Sequence, residues 1–139
     1  MVRWCANDRE FLVTTLIERL AGFVAATSWD DVPVMVAQRV RLQHLHMAAM
    51  VAESIPEPAI KGFVRSGSGR GSARLFTGKK ASAREAARVH AARAAYVDRL
   101  DHLLGGSTGA GAVCAGWSYA KGRSVQDLLL ATALANEVA

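Results

Sequence analysis

The chain has 139 residues, 51% of them apolar, and a formal charge of +5. That length makes one domain able to bury about two thirds of its unfolded surface. No apolar run reaches the roughly 18 residues of a membrane span, and the opening VRWCANDREF lacks the apolar stretch of a secretory signal.

Alanine is abundant and β-branched runs are scarce, which favours helices because alanine loses no side-chain entropy on folding. Cys5 and Cys114 are far apart, the pattern of free thiols in a reducing, cytoplasmic compartment. The charge is uneven. Between Ala59 and Arg93 nine Lys or Arg stand against Glu85 alone, a local net of +8, which leaves −3 for the rest. Such a block suits an anionic small molecule, an acidic subunit or nucleic acid. Only Phe63 and Phe76 interleave aromatics with it, and no zinc-finger or RNA-binding motif accompanies it, so nucleic acid ranks last.

The spacing predicts a first helix over 7–26, capped by Asn7 with Glu10 completing a capping box. Phe11, Leu12, Leu16, Leu20, Phe23 and Val24 would form its core stripe. After Thr27-Ser28-Trp29, the acids Asp30 and Asp31 and then Pro33 suit a helix start, and a second helix is expected from about Val32 to Glu53. His44 and His46 on it would point about 200° apart and could not share a metal. Pro56-Glu57-Pro58 opens a short third helix holding Ile60, Phe63 and Val64. The SGSGRGS stretch that follows has GxGxG spacing without a preceding strand, and reads as a flexible loop rather than a dinucleotide fingerprint.

Gly71 to Asp101 is the most informative stretch: a short apolar segment, a Gly78-Lys79-Lys80 turn, and a helix from Ser82 whose far end carries two aspartates. Ser82 to Glu85 forms a capping box, and the helix alanines permit close helix–helix approach. Arg84 and Arg88 share a face, His90 is packed or solvated, and Asp98 and Asp101 are i, i+3 near the C-terminal end, where acids oppose the helix dipole. Gly105 to Ala112 is a second glycine-rich loop without the GK[ST] ending of a nucleotide-binding loop. Its amides around Ser107 and Thr108 can cradle a carboxylate at the start of the next helix, expected over 112–120. Cys114 reads as a small buried hydrophobe, and Ser124 to Asp127 as the capping signature of a last helix. The fold class is all-α, a compact bundle of five to six helices, with no ligand spacing for a metal or organic cofactor.

Three stretches together resemble the MmgE/PrpD family of 2-methylcitrate dehydratases, cis-aconitate decarboxylases and related lyases and epimerases. The segment LAGFVAATSWDDVPVMVAQRVRLQ from Leu20 is similar to the family's LAxFVxxLxYxDLPxEVVxxA opening. The Gly78-Lys79-Lys80 turn and the run Tyr96-Val97-Asp98-Arg99-Leu100-Asp101-His102 stand where the family has a VLGTG-like turn and a helix ending in an LDFDDT-like acid cluster. The end of the chain from Ser124 resembles GxSGRDLLxAxVxGYEV.

The likeness runs from about Leu20 to Val138 and implies the first part of the family's helical domain, without its α+β lid. It implies a lyase or isomerase moving a proton on a small carboxylate or carbonyl substrate. Asp98 and His102 would transfer the proton, with Asp101 beside them. Tyr96 would donate a hydrogen bond, and Lys79, Lys80, Ser107 and Thr108 would hold the substrate. Gly105-Gly106-Ser107 stands where the family places an HPG-like histidine. A homo-oligomer, or a second subunit supplying the lid, is therefore an expected partner. A non-catalytic ligand-binding or scaffolding subunit is the alternative.

Overall fold

The computed structural model describes residues 15–64, 70–99 and 108–138. Helix α1 spans Leu16–Ala26, α2 Val34–Glu53, α3 Pro58–Val64, α4 Ala83–Val97, α5 Thr108–Tyr119 and α6 Val125–Val138. The only sheet among the described residues is a hairpin of β1 (Ala73–Arg74) and β2 (Lys80–Ala81). The molecule is thus an all-α bundle carrying one small hairpin.

Local chemistry sets most of the boundaries. Thr15 is extended and its side chain accepts from the Glu18 amide, while Glu18 accepts from the Thr15 amide at 2.7 Å. This reciprocal box starts α1 at Leu16, so a continuous helix over 7–26 is not what forms; Asn7, Glu10, Phe11 and Leu12 lie outside the described residues. Asp31 accepts from the backbone and hydroxyl of Ser28 at 2.8 and 2.7 Å, closing a separate 3₁₀ turn, Trp29–Asp31, in front of α2. The acids expected to open α2 therefore belong to their own turn. Arg41 stacks 5.9 Å from the Trp29 ring and ties that turn to α2.

Ser82 caps α4 by accepting from the Glu85 amide, and Ser124 and Asp127 exchange two 3.0 Å bonds at the start of α6. Helix α5 begins at Thr108, earlier than expected, so Gly109 and Gly111 are helical rather than part of a loop. Gly109 is buried, and a Cβ on Gly116 would overlap the Leu128 side chain. Glycine serves close packing of α5 here, and the neighbouring helices offset its poor helix propensity.

The core forms where α2, α4 and α5 meet. Met47, Met50, Val51, Ala94 and Val113 are buried together, with Val97 and Trp117 packed against them. Alanine on α4 allows that approach: Ala86 and Ala94 are fully buried. Cys114 is buried beside Val113, and desolvation pushes its thiol up to about 12, as expected of a small core hydrophobe.

Two glycines shape the hairpin that precedes α4. Gly71 adopts φ +140 where a Cβ would collide with the Ala81 carbonyl, so only glycine lets the chain pass. Gly78, at φ +83, closes the turn by donating to the Leu75 carbonyl at 2.8 Å. The described end of the SGSGRGS stretch is therefore tightly placed; 65–69 lie outside the described residues.

Candidate functional site

Glu85, Val89 and Arg93 recur every four residues and share one face of α4. They line a cleft of about 650 Å³, closed on one side by Ile55, Lys61 and Val64 and on the other by the hairpin residues Leu75, Thr77, Lys79, Lys80 and Ala81. Lys61, Lys79 and Lys80 are exposed at its mouth, whereas Val89 is 1% and Arg93 4% exposed.

Arg93 is the unusual group. Its Nη1 donates to the Ser54 carbonyl at 2.8 Å, and its Nε is buried without a hydrogen-bond partner. Among the described residues no carboxylate lies within ion-pair distance of it. Desolvation lowers the pKa of its guanidinium. Glu85, the one carboxylate on the cleft wall, is engaged by Arg88 at 2.6 Å, and that hydrogen bond pulls its pKa down. Burying a charge is costly unless it is paired. The electrostatics of the cleft therefore favour an anion.

An aromatic and imidazole cluster backs onto the same helix. Phe76 on the hairpin turn meets His90 edge-on at 5.2 Å and Trp117 at 5.2 Å, and His90 lies 5.9 Å from Trp117. His90 is 2% exposed and neither ring nitrogen has a partner, so desolvation, reinforced by the charge of Arg93, lowers its pKa. His44 is better served. The Trp117 indole donates to its Nδ1 at 3.0 Å, so the proton resides on Nε2, which donates to the Thr132 hydroxyl at 3.0 Å. Thr132 in turn donates to the Leu128 carbonyl at 3.0 Å. This chain stitches α2, α5 and α6 together and fixes the imidazole tautomer.

The residues singled out from the sequence fall in different places. Lys79 and Lys80 line the cleft mouth. Tyr96 is 44% exposed on the last turn of α4, beyond the cleft. Asp98 is not on a helical face: it ends α4 in the left-handed region, φ 54, with its amide donating to the Ala95 carbonyl at 3.1 Å. Aspartate tolerates that conformation better than most residues, which gives an acid at this helix end a backbone role. Thr108 is the first residue of α5, and Asp101, His102 and Ser107 lie outside the described residues.

His46 donates from Nε2 to the Arg99 carbonyl at 2.7 Å, well away from the His44 contacts, so the two histidines diverge as their spacing requires. Among the described residues no three His, Cys, Asp or Glu side chains converge as metal ligands, and no helix is long and apolar enough to cross a membrane. Arg93 and Lys61 were not singled out from the sequence; the basic block and the four-residue spacing of Glu85, Val89 and Arg93 were the available signals. Comparison with family models, with curated proteins and with solved structures found no match.

Proposed function

We propose that this chain is a helical binding module for small organic anions, with the ligand seated in the cleft between α4 and the hairpin. The observation that carries this reading is Arg93, a buried guanidinium without a carboxylate partner among the described residues, in a cleft whose mouth holds three lysines. A bound carboxylate would supply the missing counter-charge through a charge-assisted bond. The test compares binding of a carboxylic acid with that of its neutral amide, in the protein and in a Lys79→Ala/Lys80→Ala variant. Both lysines are exposed, so the variant keeps the fold. The acid should bind at least about tenfold more tightly than the amide, and the advantage should shrink in the variant and at high salt. Equal binding of acid and amide would overturn the reading.

The resemblance to MmgE/PrpD proteins favours a second reading, a lyase or isomerase of the same lineage moving a proton on the bound acid through Asp98 and His102, with Asp101 and Tyr96 beside them. Lys79 and Lys80, the turn cations read as binding an anionic substrate, line the cleft and so support a shared substrate site. Exchange of the acid's α-hydrogen for deuterium in heavy water tests it: exchange abolished by Asp98→Asn supports catalysis, and no exchange leaves a binding module.

A homo-oligomer, or a complex with a second subunit, is part of the proposal. Helix α1 has no buried residue, and Leu16, Ile17, Val34, Met35, Leu42 and Leu45 are exposed. An apolar surface of that kind marks an interface. Native mass spectrometry should therefore give a mass above that of the monomer.

A further inference from the structure

The walls of the cleft bear on which anion it takes. Resting on the binding reading above, we infer that the ligand is an aliphatic monocarboxylate, with its carboxylate among the cleft cations and its hydrocarbon body along Ile55, Val64, Leu75 and Val89. Two chemistries meet in this cavity. Cations sit at the mouth as Lys61, Lys79 and Lys80 and in the wall as Arg93. The rest of the lining is largely hydrocarbon: Ile55, Val64 and Leu75 are half-buried, and Val89 and Ala81 are 1% exposed.

A polycarboxylate would press charged oxygens against those apolar side chains, where no donor compensates their desolvation. A purely aliphatic molecule would leave Arg93 uncompensated. An acid with one charged end and a hydrocarbon body matches both. A cavity of about 650 Å³ is in the range that encloses small ligands and is underfilled by a two-carbon acid.

The experiment is calorimetric titration of the full chain with acetate, butanoate, hexanoate and octanoate, alongside citrate, inorganic phosphate and octan-1-ol. Affinity should rise about two- to fourfold per added methylene, the increment of burying hydrocarbon. Octanoate should show a negative heat-capacity change and bind more tightly than citrate. In a Leu75→Asn variant, at a half-buried hairpin position, the chain-length dependence should flatten, with octanoate losing more affinity than acetate.

An affinity independent of chain length, or citrate binding more tightly than octanoate, would overturn the monocarboxylate assignment and leave the anion site standing. Octan-1-ol binding as tightly as octanoate would overturn the anion site itself. No binding by any acid would overturn both.

Discussion

Lowering the pH from 7.5 to 5.5 is expected to weaken the fold through two histidines. His90 is enclosed by Phe76 and Trp117 with both nitrogens unpartnered, and His44 accepts from the Trp117 indole at a nitrogen that protonation would occupy. Burial lowers both pKa values from 6.5, and in His90 the nearby Arg93 charge adds to the effect. The sign follows from linkage. When the folded pKa is depressed, the unfolded chain binds protons first, so stability is complete above 6.5 and declines as the pH falls below it. An imidazole held neutral in the fold costs at most about 1.4 kcal/mol per pH unit below 6.5, so two of them cost at most about 3 kcal/mol at pH 5.5.

The lowered carboxylates Glu18, Asp31, Glu85 and Asp127 start from 3.8 or 4.5, and they weaken the fold only at more acid pH. The window between 7.5 and 5.5 therefore isolates the imidazoles. Urea unfolding followed by circular dichroism should show the midpoint falling across this window, and His90→Leu should remove about half of the slope. A midpoint unchanged between pH 7.5 and 5.5, or a slope that survives loss of both histidines, would refute the assignment.

Other consequences can be checked separately. Gly71→Ala should destabilise by more than the about 1 kcal/mol of an ordinary glycine replacement, because φ +140 and the Ala81 carbonyl both oppose a Cβ; thermal unfolding measures it. The same variant should weaken anion binding, because the hairpin carries Lys79 and Lys80. Cys114, with its thiol pushed up to about 12, should resist alkylation at pH 8 in the native protein and react once urea unfolds it, which peptide mass spectrometry reads directly. Trp117→Phe should cost about 1–3 kcal/mol by stranding the half-buried Nδ1 of His44, with urea unfolding as the measure.

Local signals were legible in the chain. Ser82 and Ser124 cap the helices that their spacing predicted, because a cap needs only residues three apart. The expected stop of α2 before Pro56 holds for the same reason: its last helical residue is Glu53. The start of α5 was not legible, because Gly109 is buried and Gly116 packs against Leu128 of α6, and no local pattern reports that. Asp98 was misplaced by one residue of helix: the α4 pattern gives no sign of the left-handed turn that ends it.

The basic character of 59–93 was plain from composition. Its focus was not, since Arg93 becomes special only when α4, the Ser54 corner and the hairpin enclose it. An arginine in an alanine-rich helix looks solvated until its neighbours are known. The family's acid cluster drew attention to the exposed Tyr96 and Asp98 at the very end of α4, one turn past the buried Arg93.

The most direct test of the central claim is a heteronuclear NMR titration of the ¹⁵N-labelled protein with octanoate, following backbone amides and the arginine Nε–H groups. The account predicts saturable shifts centred on Val89, Arg93 and the hairpin residues Leu75, Lys79 and Lys80, with the Arg93 side chain among the largest. Shifts centred on Tyr96 and Asp98 with the cleft silent, or no saturable shift at all, would contradict it.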